Sequence, residues 1–201
     1  MCGILAICAR DPRVGFHDRT IETANNVQRH RGPDSGGVRI LRGAALGARR
    51  LAILDIPGGD QPMSDLTGRY HIVYNGEIYN YRTLRSDLER RQVKFVTNSD
   101  TEVILNSYIS SGPDCLNRFN GMFAFAIWDD VERTLFAARD RLGIKPFFYS
   151  HSERYLIVAS NTKSIRAVRN NQISVDPSGL DSFLAYRYAV GPGTLYKEIS
   201  Q

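Results

Sequence analysis

Hydrophobic residues run without a break through Gly3-Ile4-Leu5-Ala6-Ile7-Cys8, a length suited to a strand buried on both faces, so the pattern predicts that the chain start is held inside. From Asp18 onward Ile21, Ala24 and Val27 recur every third residue, with Gly32 beyond them. That is the spacing of a helix capped at Asp18 and stopped by glycine. Arg31-Gly32-Pro33-Asp34-Ser35-Gly36-Gly37 reads as a loop because Gly and Pro punctuate it. Val38–Leu41 and Ala44–Leu54 read as strands, the stretch from Ile56 to Pro62 as turns, and Tyr70–Tyr74 as a third strand ending at Asn75-Gly76. Tyr81, Leu84 and Leu88 mark one helix face, and Asn98 or Ser99 caps another helix carrying Val103, Ile104 and Tyr108. Met122–Asp129, Thr134–Ala138, Pro146–Tyr149 and Tyr155–Ala159 follow as close-spaced strands, expected as antiparallel hairpins or a meander. A last helix is expected around Leu180–Tyr188.

Runs of strands with few helices and short connections predict an α+β fold with mostly antiparallel sheets rather than repeated βαβ units. Two stacked sheets with helices outside satisfy the pattern. No repeat, low-complexity tract or linker interrupts the chain before Asn170-Asn171-Gln172, so one domain over residues 1–201 is expected.

Composition narrows the classes. At 201 residues, 42% hydrophobic and 23% charged, the chain has what a single globular core requires. Lys and Arg exceed Asp and Glu by 26 − 21 = 5, but the basic residues are dispersed rather than blocked, which argues against a nucleic-acid partner. No apolar run approaches the roughly 20 residues of a membrane span, and the start is not signal-like, so a cytoplasmic protein is expected. Three widely spaced cysteines and four scattered histidines form neither a disulfide framework nor a metal motif, so no metal is expected.

Chemistry enters at Cys2. Once Met1 is trimmed, one residue carries both a thiol, of reference pKa about 8.5, and an α-amine of about 7.7 to 8.0. An N-terminal amine serving as base for its own side chain is an established route to acyl transfer. Such chemistry also needs donors aimed at an oxyanion. Asn75-Gly76 offers a side-chain amide beside an unhindered backbone N–H, each donor contributing about 3 kcal/mol; the same dipeptide is also the commonest hairpin turn signal. An amino-acid substrate would need a guanidinium for its carboxylate and carboxylates for its ammonium. Arg50, Glu77 and Asp100 are candidates that periodicity alone does not single out.

The blocks Met1-Cys2-Gly3-Ile4, Arg31-Gly32-Pro33-Asp34-Ser35-Gly36, Arg50-Leu51-Ala52-Ile53-Leu54-Asp55, Tyr74-Asn75-Gly76-Glu77-Ile78-Tyr79-Asn80 and Ser99-Asp100-Thr101-Glu102-Val103-Ile104 occur in that order. Phe119–Ala126 and Arg139–Pro146 extend them. With these blocks the chain resembles the glutaminase domain of asparagine synthetase, a class II glutamine amidotransferase with the N-terminal-nucleophile hydrolase fold. The resemblance implies a four-layer αββα sandwich of two mostly antiparallel sheets flanked by helices. It implies Cys2 as nucleophile and base, Asn75 and the Gly76 amide as oxyanion hole, Arg50 on the α-carboxylate of L-glutamine, Glu77 and Asp100 on its α-ammonium, and backbone contacts near Ile53 and Leu54. No cofactor is implied for this domain. ATP and magnesium would belong to a synthetase domain, whose Ser-Gly-Gly-x-Asp-Ser loop this chain lacks, or to a separate synthetase subunit; a homodimer stays open. Ser160-Asn161-Thr162-Lys163-Ser164 departs from the family's usual Ser-Glu-Ile-Lys-Ala. A second reading keeps the fold as a non-catalytic domain that docks on or stabilises a synthetase partner.

Overall fold

The computed structural model describes residues 1–52, 55, 58–170 and 172–201. Strand β1 (Gly3–Ala9) is followed by helix α1 (Asp18–Asn26), β2 (Ser35–Leu41), β3 (Ala44–Arg50), the short β4 (Met63–Ser64) and β5 (Tyr70–Ile78). Helices α2 (Tyr81–Arg90) and α3 (Asp100–Ser111) and a 3-10 turn (Gly112–Arg118) precede β6 (Gly121–Asp129), β7 (Thr134–Arg139), β8 (Phe148–His151) and β9 (Tyr155–Ala159). Helices α4 (Thr162–Val168) and α5 (Pro177–Tyr186) complete the described elements.

The strands form two antiparallel sheets, one ordered β2-β3-β1-β9-β8 and the other β4-β5-β6-β7. Side chains alternate across each strand, and the alternation sorts the core into three slabs. Ile4, Ala6, Leu46, Ala48, Val73, Ala124, Ala126 and Trp128 pack between the sheets. Leu5, Ile7, Ala45 and Ile157 face Ile21, Ala24 and Ile165 of α1 and α4. Ile72, Tyr74, Ile78, Phe123 and Phe125 face Leu84, Val103 and Ile104 of α2 and α3. The order is helix, sheet, sheet, helix, as the α+β reading anticipated. Strand β1 is uncharged and nearly all buried because it is the middle strand of five and has protein on both faces.

Several local expectations need correction. His17, not Asp18, is the N-cap of α1, and its side chain makes no capping bond; the capping signal of an aspartate does not distinguish the cap from the first helical turn, where a carboxylate is also favourable. Ser35, Gly36 and Gly37 belong to β2, paired with Arg50, Arg49 and Ala48, because the ladder to β3 outweighs the turn preference of two glycines. Strand β3 ends at Arg50 and does not continue through Leu51 and Ala52 as expected; Ile53 and Leu54 lie outside the described residues. Asn75-Gly76 is not a hairpin turn: both residues lie inside β5, opposite Ala124 and Phe123. Of the two arrangements expected for the last strands, the structure shows hairpins, β6-β7 and β8-β9, which lie in different sheets. Of the two caps expected for α3, Asn98 and Ser99, it is Ser99, its Oγ accepting from the Glu102 N–H. Helix α4 and the 3-10 turn had no reading in the sequence.

Candidate active site

The alternation that builds the inter-sheet slab also builds the site at its open end. Residues of one parity face inward on each strand: Ile4 and Ala6 on β1, Leu46 and Ala48 on β3, Val73 on β5, Ala124 and Ala126 on β6. Stepping two residues onward brings Cys2, Arg50, Asn75 and Met122 to the slab's edge, where the apolar filling stops. These four, with Glu77, Asp100 and Lys145, line a cavity of about 270 Å³. Its wall is completed by Met1, Leu51, Gly59, Gln61, Tyr74, Gly76, Ser99 and Thr101.

Cys2 is held from several sides. The next backbone N–H but one, that of Ile4, donates to buried Ser160 Oγ at 3.0 Å, the Cys2 carbonyl accepts from Arg31 Nε at 3.1 Å, and Sγ lies 3.7 Å from the Leu51 carbonyl oxygen. Burial disfavours ionisation of the other two thiols. Burial pushes Cys8 up and Cys115 up to about 11, so neither is appreciably ionised near neutral pH.

Asn75 is 1% exposed, and its Nδ2 has no hydrogen-bond partner among the described residues. A buried unpaired amide donor costs about 1 to 3 kcal/mol, and here it sits in the wall of the cavity Cys2 lines. Gly76 has no room for a side chain: a Cβ would meet the Met122 carbonyl oxygen at 2.4 Å and Tyr74 Cε2 at 2.7 Å. Glycine there keeps β5 close to β6 and leaves the backbone beside Asn75 uncovered.

Arg50, 6% exposed, is wrapped by the loop that follows β3. Its Nη2 donates to the Asp55 carbonyl at 2.8 Å and its Nη1 to Asp60 Oδ1 at 3.2 Å. Gly59 makes this possible, since a Cβ there would stand 2.3 Å from Nη2. Asp55 Oδ2 also accepts from the Asn98 N–H at 2.6 Å, which ties the loop to the start of α3. There Asp100, 5% exposed, accepts from Tyr74 Oη at 2.7 Å and the Ile78 N–H at 3.1 Å through one oxygen, Oδ2. Burial holds its carboxyl above the usual range despite those bonds, and Tyr74 is pushed well above an ordinary phenol by burial and by the same carboxylate. Glu77 is half-buried and stands opposite Met122 across the ladder.

Six expected site residues, Cys2, Arg50, Asn75, Gly76, Glu77 and Asp100, therefore share one cavity; Ile53 and Leu54 lie outside the described residues. Sequence reasoning missed Tyr74, which bonds Asp100, and Gln61, whose Oε1 accepts from the Tyr74 N–H at 2.6 Å. It also missed Lys145 as part of the wall. The structure shows that strand parity brings Arg50 and Asn75 together, a signal the sequence reading did not use; nothing local marks Gln61 or Lys145. Among the described residues no three His, Cys, Asp or Glu side chains converge as a metal site, and no helix is long and apolar enough to cross a membrane.

Comparisons with known proteins identify the family. The glutamine amidotransferase domain family model matches residues 1–201. Asparagine synthetase [glutamine-hydrolyzing] 3 of Bacillus subtilis is 39% identical over 204 residues, covering 100% of this chain and 33% of that protein. Its paralogue, asparagine synthetase [glutamine-hydrolyzing] 1, is 37% identical over 97% of this chain and 31% of its own length. The chain thus spans about a third of these relatives. Among solved structures, the glutamine phosphoribosylpyrophosphate amidotransferase of B. subtilis superposes with a TM-score of 0.65 at 23% identity, covering 84% of this chain and 44% of that one; at that identity the likeness speaks for the fold alone. Carrying the family's signature from end to end on the matching double-sheet scaffold, the chain belongs to the glutamine amidotransferase domain family.

Proposed function

We propose that residues 1–201 act as one glutaminase domain that hydrolyses L-glutamine to glutamate and ammonia through a thioester on Cys2. The observation that carries this reading is the buried, unpaired Asn75 Nδ2 in the wall of the cavity that Cys2 lines. A folded chain tolerates such a donor where a ligand is to satisfy it.

With Met1 removed, the Cys2 amine accepts the thiol proton and the sulfur attacks the glutamine carboxamide carbon. The carbonyl oxygen becomes an oxyanion, bonded by Asn75 Nδ2 and the Gly76 N–H. Those bonds strengthen as charge develops, so they accelerate the step rather than merely bind substrate. Collapse breaks the C–N bond, and the amine returns its proton to the leaving nitrogen, which departs as ammonia. Water, deprotonated by the same amine, attacks the thioester, releases glutamate and restores the thiol. Arg50 takes the α-carboxylate in place of Asp60, and Glu77 with Asp100 takes the α-ammonium. Ile53 and Leu54 are assigned backbone contacts to the substrate.

Amide hydrolysis needs no external activation, whereas making a new amide from a carboxylate does. ATP and magnesium are accordingly assigned to an asparagine-synthetase-like domain or subunit that receives the ammonia. The relatives are about three times as long as this chain, which supports such a partner. Cys2, Cys8 and Cys115 are unpaired, in keeping with a cytoplasmic setting.

The test is intact-mass and peptide mapping after treatment with an electrophilic glutamine analogue. The expected product lacks Met1, carries one adduct on Cys2 and, untreated, releases glutamate. Trimmed protein that forms no adduct and no glutamate, alone or with a synthetase, overturns the proposal.

A further inference from the structure

The cavity holds one charge that the proposed reaction leaves unused. Lys145 is 7% exposed and lines the cavity, and its ammonium forms no hydrogen bond or ion pair among the described residues. Its backbone is fixed. Asp140 Oδ2 accepts from the Lys145 N–H at 3.0 Å and from the Phe123 N–H at 3.2 Å, and the Lys145 carbonyl accepts from Arg139 Nε at 2.7 Å. Phe123 stands opposite Gly76. One carboxylate oxygen thus ties the lysine's backbone to the strand beside the Asn75-Gly76 edge.

The other charges around the cavity are engaged or claimed. On the segment before β2, Arg31 holds the Cys2 carbonyl. At the end of β3, Arg50 is bonded to Asp60 and Asp55. On β5, Tyr74 is bonded to Asp100 at the start of α3, while Glu77 makes no ion pair with Lys145. Asp140, on the lysine's own loop, is spent on backbone N–H groups.

We infer that Lys145 is an electrostatic positioning residue for glutamine hydrolysis, its ammonium favouring the Cys2 thiolate and the tetrahedral oxyanion over their neutral precursors. The inference rests on the proposed glutaminase reaction. With glutamine bound, the only new negative charge in the cavity is the one formed during attack, and a fixed cation in a partly dry site acts on that charge more than on the neutral carboxamide.

The test uses Met1-free protein carrying Lys145→Met or Lys145→Arg. Two profiles are measured against pH: kcat/KM for glutamine, and alkylation of Cys2 by uncharged iodoacetamide, with Cys8 and Cys115 peptides as references. Lys145→Met is expected to lose roughly tenfold in kcat/KM at neutral pH and to move the acid limb of both profiles upward by about one pH unit, while Lys145→Arg keeps the limb in place. If Lys145→Met raises KM alone and leaves both limbs where they were, the lysine balances Glu77 and Asp100 instead, and the inference fails. Should Lys145→Met not fold, Lys145→Gln removes the charge while keeping a long polar side chain and carries the same test. An inactive, unalkylated wild-type Cys2 would sink the glutaminase reading itself, a result distinct from either outcome for the lysine.

Discussion

Asp100 and Asp129 are equally buried, each 5% exposed, yet their carboxyls move in opposite directions. Asp129 lies where β6 ends and meets Arg69 twice, at 2.9 and 2.7 Å, as well as the N–H groups of Val131 and Glu132; chiefly through the Arg69 bonds its pKa falls to about 2. Asp100 has a neutral phenol and one backbone N–H, and burial raises it. Under the proposed function the difference separates scaffold from site. A structural carboxylate has its cation built in, whereas a binding carboxylate is kept short of one and gains it with the substrate.

The hardest test of the site half of this contrast is Cys2→Ala, which is expected to lower glutamine turnover at least about a thousandfold with an unchanged melting temperature, read by glutamate release and thermal unfolding. Asn75→Ala follows, with a fall in kcat of roughly a hundredfold and little change in KM. Its melting temperature should not drop as a buried amide's removal ordinarily would, because the lost Nδ2 was unpaired. Asp100→Asn is expected to raise KM for glutamine roughly 10- to 100-fold, the worth of one charged hydrogen bond. Because the folded chain binds the Asp100 proton more tightly than the unfolded chain does, the ionised carboxylate subtracts stability at neutral pH, and the penalty is relieved as pH falls through the raised value. Melting of Asp100→Asn at neutral pH should therefore match or exceed wild type.

Asp129→Asn is the smallest effect and the mirror image. It should cost about 1 to 2 kcal/mol at neutral pH, discounted for the partly exposed Arg69, and leave glutamine kinetics alone. Here the folded-state carboxyl is depressed, so its contribution is complete above the ordinary aspartate value of about 4 and disappears as pH falls toward 2. Denaturant titrations of wild type and variant should converge over that interval. A variant of Asp129 that altered KM, or one of Asp100 that only destabilised the fold, would break the comparison.

Much of the scaffold was legible because each strand has a face to bury: the strands of the inner slab and the α3 cap at Ser99 were readable from alternation and from one hydroxyl. What alternation does not carry is which sheet a strand joins. The hairpin readings of β6-β7 and β8-β9 were right locally, yet they belong to different sheets because long-range pairing, β9 with β1 above all, is decided by the whole core. The turn reading of Asn75-Gly76 gave way for a related reason: nine paired residues of β5 and β6 outweigh the preference of two. For the site, strand parity gathers Cys2, Arg50, Asn75 and Met122, but their roles came through the family resemblance rather than through spacing. Gln61, Tyr74 and Lys145 were illegible, since each takes part through contacts between segments far apart in the chain.

The central place of β1 bears on how the proposed nucleophile would mature. Its hydrogen bonds run on one side to β3 and on the other to β9, which begins at Tyr155. During synthesis one edge of β1 therefore stays unpartnered until Tyr155–Ala159 has emerged, and the Met1 removal that the proposed reaction requires has that whole interval in which to act on an unsealed strand. Under the proposed reaction, any residue left fused ahead of Cys2 would withhold the amine that serves as its base.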